Sequence, residues 1–336
     1  MKILMYSPSF YPKIGGLETV VLILAREFVE CGYSLKVISS TPANDEKKFP
    51  FEVIRRPSLY QLLQLTHWCD VFFQGNISLK GIWPLLLVHK PLVVTHQSWY
   101  QRLNGTLSWQ DHLKNLVTRF STNICASHAL AERITSPSTV IPNPYRQDIF
   151  YEIPEIKRDK ELVFLGRLVS DKGADLLLDA IANLKALGLT PKLTLIGSGP
   201  EEANLRQQVK RLDINHQVEF AGVKFDQELA QALNAHQILI VPSRWEEPFG
   251  IVALEGIACG CVVVGSDGGG LKEAIGSCGL TFPNGNVQAL TEILIELLTG
   301  KTLLSKYREN AISHLSRHTS TAVAQGYLEI LERVVT

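Results

Sequence analysis

The run Lys2-Ile3-Leu4-Met5-Tyr6-Ser7 is a short apolar stretch; Leu17, Val21, Leu24 and Phe28 then recur at helical spacing up to Gly32, and Leu35–Ser39 is apolar again. An apolar run, an amphipathic stripe and a second apolar run predict one β-α-β unit. Working outward, Val71–Gln74, Leu92–Thr95, Thr122–Ala126 and Thr139–Ile141 are further strand candidates. Their Val and Ile residues are continuous instead of alternating, as parallel strands covered on both faces require. The rhythm restarts after the Pro-containing charged stretch 154–160. Leu162–Leu165 predicts a strand, Leu176, Leu177, Ala180 and Leu184 a helical stripe, and Leu193–Ile196, Val218–Phe220, Ile238–Val241 and Val262–Val264 more strands. The expected fold is α/β, with two Rossmann-like doubly wound domains facing a central cleft. Tyr327, Ile330, Leu331 and Val334 predict a helix over Val323–Val335. The expected divisions are 1–147, 148–317 and 318–336.

Composition bounds the partners. A length of 336 residues suits two domains, and 46% hydrophobic with 20% charged residues excludes a disordered chain. Lys plus Arg (33) equals Asp plus Glu (33), so no nucleic-acid partner held by a general basic surface is expected. Residues 1–146 carry 15 basic against 9 acidic side chains, which suits an anionic substrate or a peripheral membrane contact; chance distribution of solvated charge is the other reading. Cys31, Cys69, Cys125, Cys259, Cys261 and Cys278 sit in apolar sequence without metal-site spacing. Reduced core thiols of a cytoplasmic protein, and no metal, are expected. Met1–Ser7 lacks a signal-peptide pattern, and Ile82–Val88 is far short of the ~20 residues that cross a bilayer.

Chemistry concentrates in loops after strands. In Val241-Pro242-Ser243-Arg244-Trp245-Glu246-Glu247-Pro248-Phe249-Gly250-Ile251-Val252-Ala253-Leu254-Glu255-Gly256 a strand ends, a loop carries Glu247, and a helix opened by Phe249-Gly250 carries Glu255. Eight residues of helix span about 12 Å, beyond the ~5–5.5 Å of a retaining hydrolase pair. The two carboxylates suit instead the hydroxyl-bearing groups on either side of a phosphate seated on first-turn amides. The other reading makes them first-turn acids and a solvent-exposed glutamate. Gly166-Arg167-Leu168-Val169-Ser170-Asp171-Lys172-Gly173 brings two cations to another strand end, where a diphosphate leaving group needs compensation for the charge it gains. Pro12-Lys13-Ile14-Gly15-Gly16 and Gly197-Ser198-Gly199 permit close backbone approach, but neither completes a dinucleotide fingerprint, and plain turn chemistry also fits. His96 follows Leu92–Thr95 at a strand end, where an imidazole orients a sugar hydroxyl or sits as a satisfied core histidine. His128, His216 and His236 are read as structural.

Together these segments resemble the family-4 retaining glycosyltransferases of the GT-B fold over nearly the whole chain. Gly15-Gly16 resembles the family's glycine loop, Arg167 and Lys172 its diphosphate-binding cations, Glu247 and Glu255 its Glu-x7-Glu motif, 141–144 its interdomain boundary and 265–273 its later loop. The resemblance implies a last helix that crosses back to the N-terminal domain. It also implies metal-independent transfer of a hexose-type sugar, with retention, from a nucleoside diphosphate sugar to a hydroxyl of a glycan or lipid-linked saccharide. Glu247 would contact the donor sugar and Glu255 the ribose. Arg167 and Lys172 would hold the diphosphate, with amides of Gly16, Phe249 and Gly250 assisting and Val223-Lys224 near the base. Gly15, Gly197, Pro248, Ile251 and Val252 would complete the donor contacts, and His96 would reach the reacting sugar. No cofactor is implied; a UDP-sugar stands ahead of a GDP-sugar as substrate. Asn76 and Gln97 depart from the family pattern. A GT-B epimerase or phosphorylase, a nicotinamide-dependent oxidoreductase and a non-catalytic nucleotide-sugar-binding protein are the competing readings.

Overall fold

The computed structural model describes residues 1–13, 15–42, 48–100, 108–300 and 302–336; Ile14 of the first glycine loop lies outside them. The chain divides into two compact units, one formed by Met1–Pro144 with Thr319–Thr336 and the other by Tyr145–His318.

The first unit runs β1 (Lys2–Ser7), α1 (Gly16–Glu30), β2 (Ser34–Ser39), β3 (Glu52–Arg55), α2 (Leu59–Trp68), β4 (Val71–Gly75), α3 (Leu79–Ile82), β5 (Leu92–His96), α4 (Trp109–Val117), β6 (Thr122–Cys125), α5 (His128–Arg133) and β7 (Ser138–Val140). Its seven strands are parallel in the order β3-β2-β1-β4-β5-β6-β7. The second unit runs β8 (Lys160–Leu165), α6 (Ala174–Ala186), β9 (Leu193–Ile196), α7 (Glu202–Arg211), β10 (Val218–Gly222), α8 (Asp226–Asn234), β11 (His236–Val241), α9 (Ile251–Ala258), β12 (Val262–Ser266), α10 (Leu271–Ile275), β13 (Gly279–Phe282), α11 (Val287–Thr299), α12 (Leu303–Arg308) and α13 (Ala311–Leu315). Its six strands are parallel in the order β10-β9-β8-β11-β12-β13. The last helix, α14 (Ser320–Val335), belongs to the first unit. Both sheets are doubly wound, and strand order reverses at β1/β4 and β8/β11. Ligands of such sheets bind outside the carboxyl ends of the strands at that reversal.

The continuous apolar runs are buried on both faces, as expected: Ile3, Leu4 and Met5 are all inaccessible to solvent. Successive strand residues point to opposite sides. Phe73 meets Phe28 of α1 and Tyr327 of α14 edge-on, at 6.3 and 5.9 Å between ring centroids. Phe72 instead joins Leu4, Tyr6 and Leu62 of α2, with Trp83 packed against them.

The C-terminal helix is also tied by polar groups. The Tyr327 hydroxyl lies 2.7 Å from Thr95 Oγ1, which also accepts from Gln97 Nε2 at 2.9 Å. Gln97 Oε1 accepts from Asn143 Nδ2 at 2.7 Å, and Asn76 Oδ1 accepts from the Gln97 amide at 2.6 Å. Asn76 and Gln97, the two departures from the family pattern, thus knit the ends of β4 and β5 to the segment before Pro144.

One expectation is corrected: five of the cysteines are buried core thiols, but Cys31 is exposed where α1 ends. His236 is structural as expected, its ring nitrogens 2.6 Å from Ala232 O and 2.9 Å from Thr194 Oγ1.

Candidate functional site

Two loops of the second unit meet where its strand order reverses. The loop after β8 ends in a short 3-10 turn, Ser170–Lys172, and a left-handed Gly173 (φ 68°). A Cβ at Gly173 would stand 2.0 Å from the Pro242 carbonyl oxygen, so the loops touch through bare backbone. The Asp171 carbonyl accepts from the amides of Arg244 and Trp245 at 2.9 and 3.2 Å. Lys172 Nζ is thereby brought 2.5 Å from Glu247 Oε1, which also accepts from Ser243 Oγ at 2.7 Å. Lys172 and Glu247 keep 24% and 13% of their side-chain surface exposed, so solvent screens their attraction incompletely.

Glu247 is fixed from a third side. Its carbonyl accepts from the Gly270 amide at 2.7 Å, and a Cβ at the left-handed Gly269 (φ 70°) would fall 2.2 Å from that oxygen. The later loop, 265–273, thus joins the site. Asn284 binds both neighbours: its Nδ2 donates to the carbonyls of Ser243 and Arg244 at 3.2 and 3.3 Å, and its Oδ1 accepts from the Gly268 amide at 2.8 Å.

After β9, Gly197 (φ 140°) is required because a Cβ there would meet the Gly166 carbonyl oxygen at 1.9 Å. Its amide donates to the Gly222 carbonyl at 2.8 Å, which sets the Val223-Lys224 loop beside it. The Lys224 ammonium reaches back to Glu228 on α8 at 2.5 Å. Gly250 (φ 109°) caps α9, so the helix begins at Ile251 and not at Phe249. First-turn amides have no intrahelical partner and face the positive end of the helix dipole. Phe249 is buried, with the His318 ring 5.8 Å away; Pro248, Ile251 and Val252 are half-buried.

Glu255 lies one turn into α9. The residue as a whole is half-buried, yet its carboxyl sits in a desolvated pocket that raises its pKa from the ordinary 4.5 to about 8, with the Arg146 charge pulling the other way. Between those values the native carboxyl keeps a proton that the unfolded chain loses. Its contribution to stability is therefore present below about pH 4.5 and lost as pH rises through about 8. Melting temperature from about pH 6 to about pH 9 is expected to fall more steeply for the unliganded wild type than for Glu255→Gln; parallel curves would refute the desolvated setting.

Sequence reasoning missed Arg244. Its guanidinium grips Asp175 through two 2.5 Å contacts and donates to the Ser170 carbonyl at 3.1 Å. The clasp spans the two loops that carry Lys172 and Glu247, and so holds the pair in register. A lone Arg inside a loop gave no signal of this. The pair is partly exposed, at 39% and 37%, and such pairs contribute at most about 1 kcal/mol to stability. Arg244→Ala is expected to raise KM for a substrate held by the Lys172–Glu247 pair about three- to tenfold, as lost preorganisation does, with kcat and melting temperature little changed. An unaltered KM would show that the clasp positions nothing.

Not every expected residue joins the pair. Arg167 is exposed and contacts neither Lys172 nor Glu247; its side chain makes no hydrogen bond or ion pair with another described residue. Gly15, in extended backbone, and Gly16 open α1 in the first unit. His96 requires correction. It is fully buried in that unit, Nδ1 lies 2.8 Å from the Tyr100 hydroxyl and Nε2 lies 3.1 Å from Asn123 Oδ1. Burial lowers its pKa to about 4, so the ring is a neutral core histidine with both nitrogens engaged, not a group presented to a sugar.

Comparison with known proteins agrees with this architecture. Residues 146–314 match the family described as Glycosyl transferases group 1. The GDP-mannose-dependent monoacylated alpha-(1-6)-phosphatidylinositol monomannoside mannosyltransferase of Corynebacterium glutamicum is 35% identical over 88% of this chain and 88% of its own. The phosphatidyl-myo-inositol mannosyltransferase of Mycobacterium leprae is 26% identical over 100% of this chain and 98% of its own. Among solved structures, Anabaena HepE in complex with UDP superposes with a TM-score of 0.84 at 22% identity, covering 99% of this chain and 100% of that one.

Proposed function

The chain belongs to the group 1 glycosyl transferases, and from that premise we propose that it moves a hexose-type sugar from a nucleoside diphosphate sugar to a hydroxyl acceptor with retention of configuration and without a metal. The observation that carries the reading is the contact between Lys172 and Glu247 at the strand reversal of the second unit. A sugar diphosphate replaces each partner of that pair: its hydroxyls donate to Glu247, and its diphosphate takes the Lys172 ammonium, the Arg167 guanidinium and the first-turn amides of α9. Glu255, one turn further, accepts from the ribose hydroxyls. The bond from the sugar C1 to the departing phosphate oxygen breaks as the acceptor oxygen bonds to C1 on the same face, and the acceptor proton passes to the departing phosphate. Positive charge at Lys172 and Arg167 stabilises the charge that the diphosphate gains.

The relatives named for phosphatidylinositol mannosides support a lipid-linked acceptor. Calorimetry with a panel of UDP- and GDP-sugars tests the donor reading. One donor is expected to bind with Kd below about 1 mM, the usual range for enzyme substrates, and to lose that affinity in Glu247→Ala. If no nucleotide sugar binds, the reading fails. Product analysis with donor alone separates transfer from epimerisation, since an epimerase yields a changed nucleotide sugar without acceptor.

A further inference from the structure

Helix α4 is built inside out. Trp109, Leu113, Leu116 and, in the 3-10 turn that continues the helix, Phe120 recur at steps of four, three and four residues, and so form one stripe about 18 Å long. That stripe faces solvent, with 68%, 40%, 47% and 77% of each residue exposed. The inward side is polar. Asp111 is buried and closes a capping box with Ser108, and the buried Thr118 hydroxyl lies 2.7 Å from Ser136 Oγ. A helix on the surface of a water-soluble domain has the opposite arrangement.

The rest of the unit shares this asymmetry. From β3 onward the strands β4, β5 and β6 are laid down in one direction, and right-handed crossovers place α2, α3 and α4 on one face of the sheet. The unit's other strongly exposed apolar side chains, Leu59, Tyr60, Leu86 and Leu87, stand on that same face, whereas α1 and α14 on the opposite face expose only Val335 among the large apolar residues described. Charge follows suit. Helices α2 to α5 with their 3-10 turns carry Lys80, Lys114, Arg119 and Arg133 against Asp111 and Glu132. On the other face Arg26 and Arg333 stand against Glu18, Glu27, Glu30, Glu329 and Glu332.

The geometry points to this face, with the α4 stripe at its centre, as the surface by which the protein rests on an anionic lipid bilayer. A helix lying flat in the interface buries Trp, Leu and Phe among the acyl chains near the headgroups while flanking cations meet anionic lipid. Arg119 beside the stripe is exposed and unpaired among the described residues, ready for a headgroup phosphate. A second copy of the chain on the same face would set cation against cation. No helix among the described residues is long and apolar enough to cross a membrane, so the contact is one of lying on it. The inference extends the lipid-linked acceptor reading and rests on it for its purpose; its measurement needs neither donor nor acceptor.

The full chain, mixed with phosphatidylcholine vesicles with or without phosphatidylglycerol, is expected to sediment with the anionic vesicles, to be released by added salt and to shift its tryptophan emission to the blue. The double variant Trp109→Glu, Leu116→Glu is expected to lose binding about tenfold or more, with melting temperature and nucleotide-sugar affinity unchanged. Three results would overturn the inference: no binding of the wild type to anionic vesicles, equal binding by the variant, or a concentration-dependent dimer that these substitutions abolish. A wild type that binds a nucleotide sugar but no anionic vesicle sinks this inference alone; a wild type that binds the vesicles but no nucleotide sugar sinks the donor reading.

Discussion

Lys172→Ala is expected to reduce kcat/KM for sugar transfer by about a hundredfold, the loss that follows removal of one preorganised group facing developing charge. The ammonium is held between two loops, 2.5 Å from Glu247 and only partly open to water, where its field is stronger than that of a surface lysine. In the proposed reaction the diphosphate is more negative in the transition state than in the bound donor, so most of the loss belongs in kcat and less in KM. Some weakening of binding follows too, because among the described residues Glu247 then keeps only the Ser243 hydroxyl as a side-chain partner and its carboxylate faces an anionic ligand unneutralised. Lys172→Arg is expected to recover only part of the rate, since a planar fork does not reproduce a compact ammonium. Near-normal kcat in Lys172→Ala with an unchanged melting temperature would remove the basis of the proposed function.

The largest stability effect is expected at Gly173. An alanine there meets two penalties: left-handed backbone costs about 1–2 kcal/mol, and overpacking costs about 1–3 kcal/mol. The obstructing atom is the Pro242 carbonyl oxygen, 2.0 Å from the new Cβ, and backbone between two anchored loops does not swing aside as a side-chain tip would. The sum, roughly 3 kcal/mol, corresponds to a fall in melting temperature of about 6–12 °C for a unit of this size. Gly188→Ala isolates the first penalty, because Gly188 is left-handed as well (φ 81°) but has nothing within 4 Å of its Cβ direction. If both alanines cost the same, the loops that carry Lys172 and Glu247 do not touch as described.

The interior of both sheets was legible because strands covered on both faces leave unbroken Val, Ile and Leu runs. The edges were not. β3 reads Glu-Val-Ile-Arg, half polar as an edge strand is, and β13 opens with Gly279, whose Cβ would strike the Val263 carbonyl oxygen at 1.8 Å. A glycine demanded by close strand approach lowers the very propensity by which strands are found. At the candidate site, Lys172 and Glu247, both read from loops that follow strands, do meet. Strand-end position misled at His96, where the end of β5 turns the ring into the core and Asn123 and Tyr100 occupy it. Arg244, Asp175 and Asn284 stayed unseen because their roles depend on which loops lie side by side, information that spacing along one segment does not hold. Helix α4 escaped notice because its apolar stripe marks the outside of the unit.

The first unit is closed by a helix that leaves the ribosome only after the whole of the second unit. Val323, Ala324, Tyr327, Leu328 and Leu331 are all buried, and until they emerge the sheet surface around Phe73 has no cover on that side. The second unit, continuous from Tyr145 to His318, has its whole sequence available earlier. Nascent chains are therefore expected to carry a finished second unit tethered to an unfinished first one, and it is the amino-terminal part of the polypeptide that needs chaperone shelter longest.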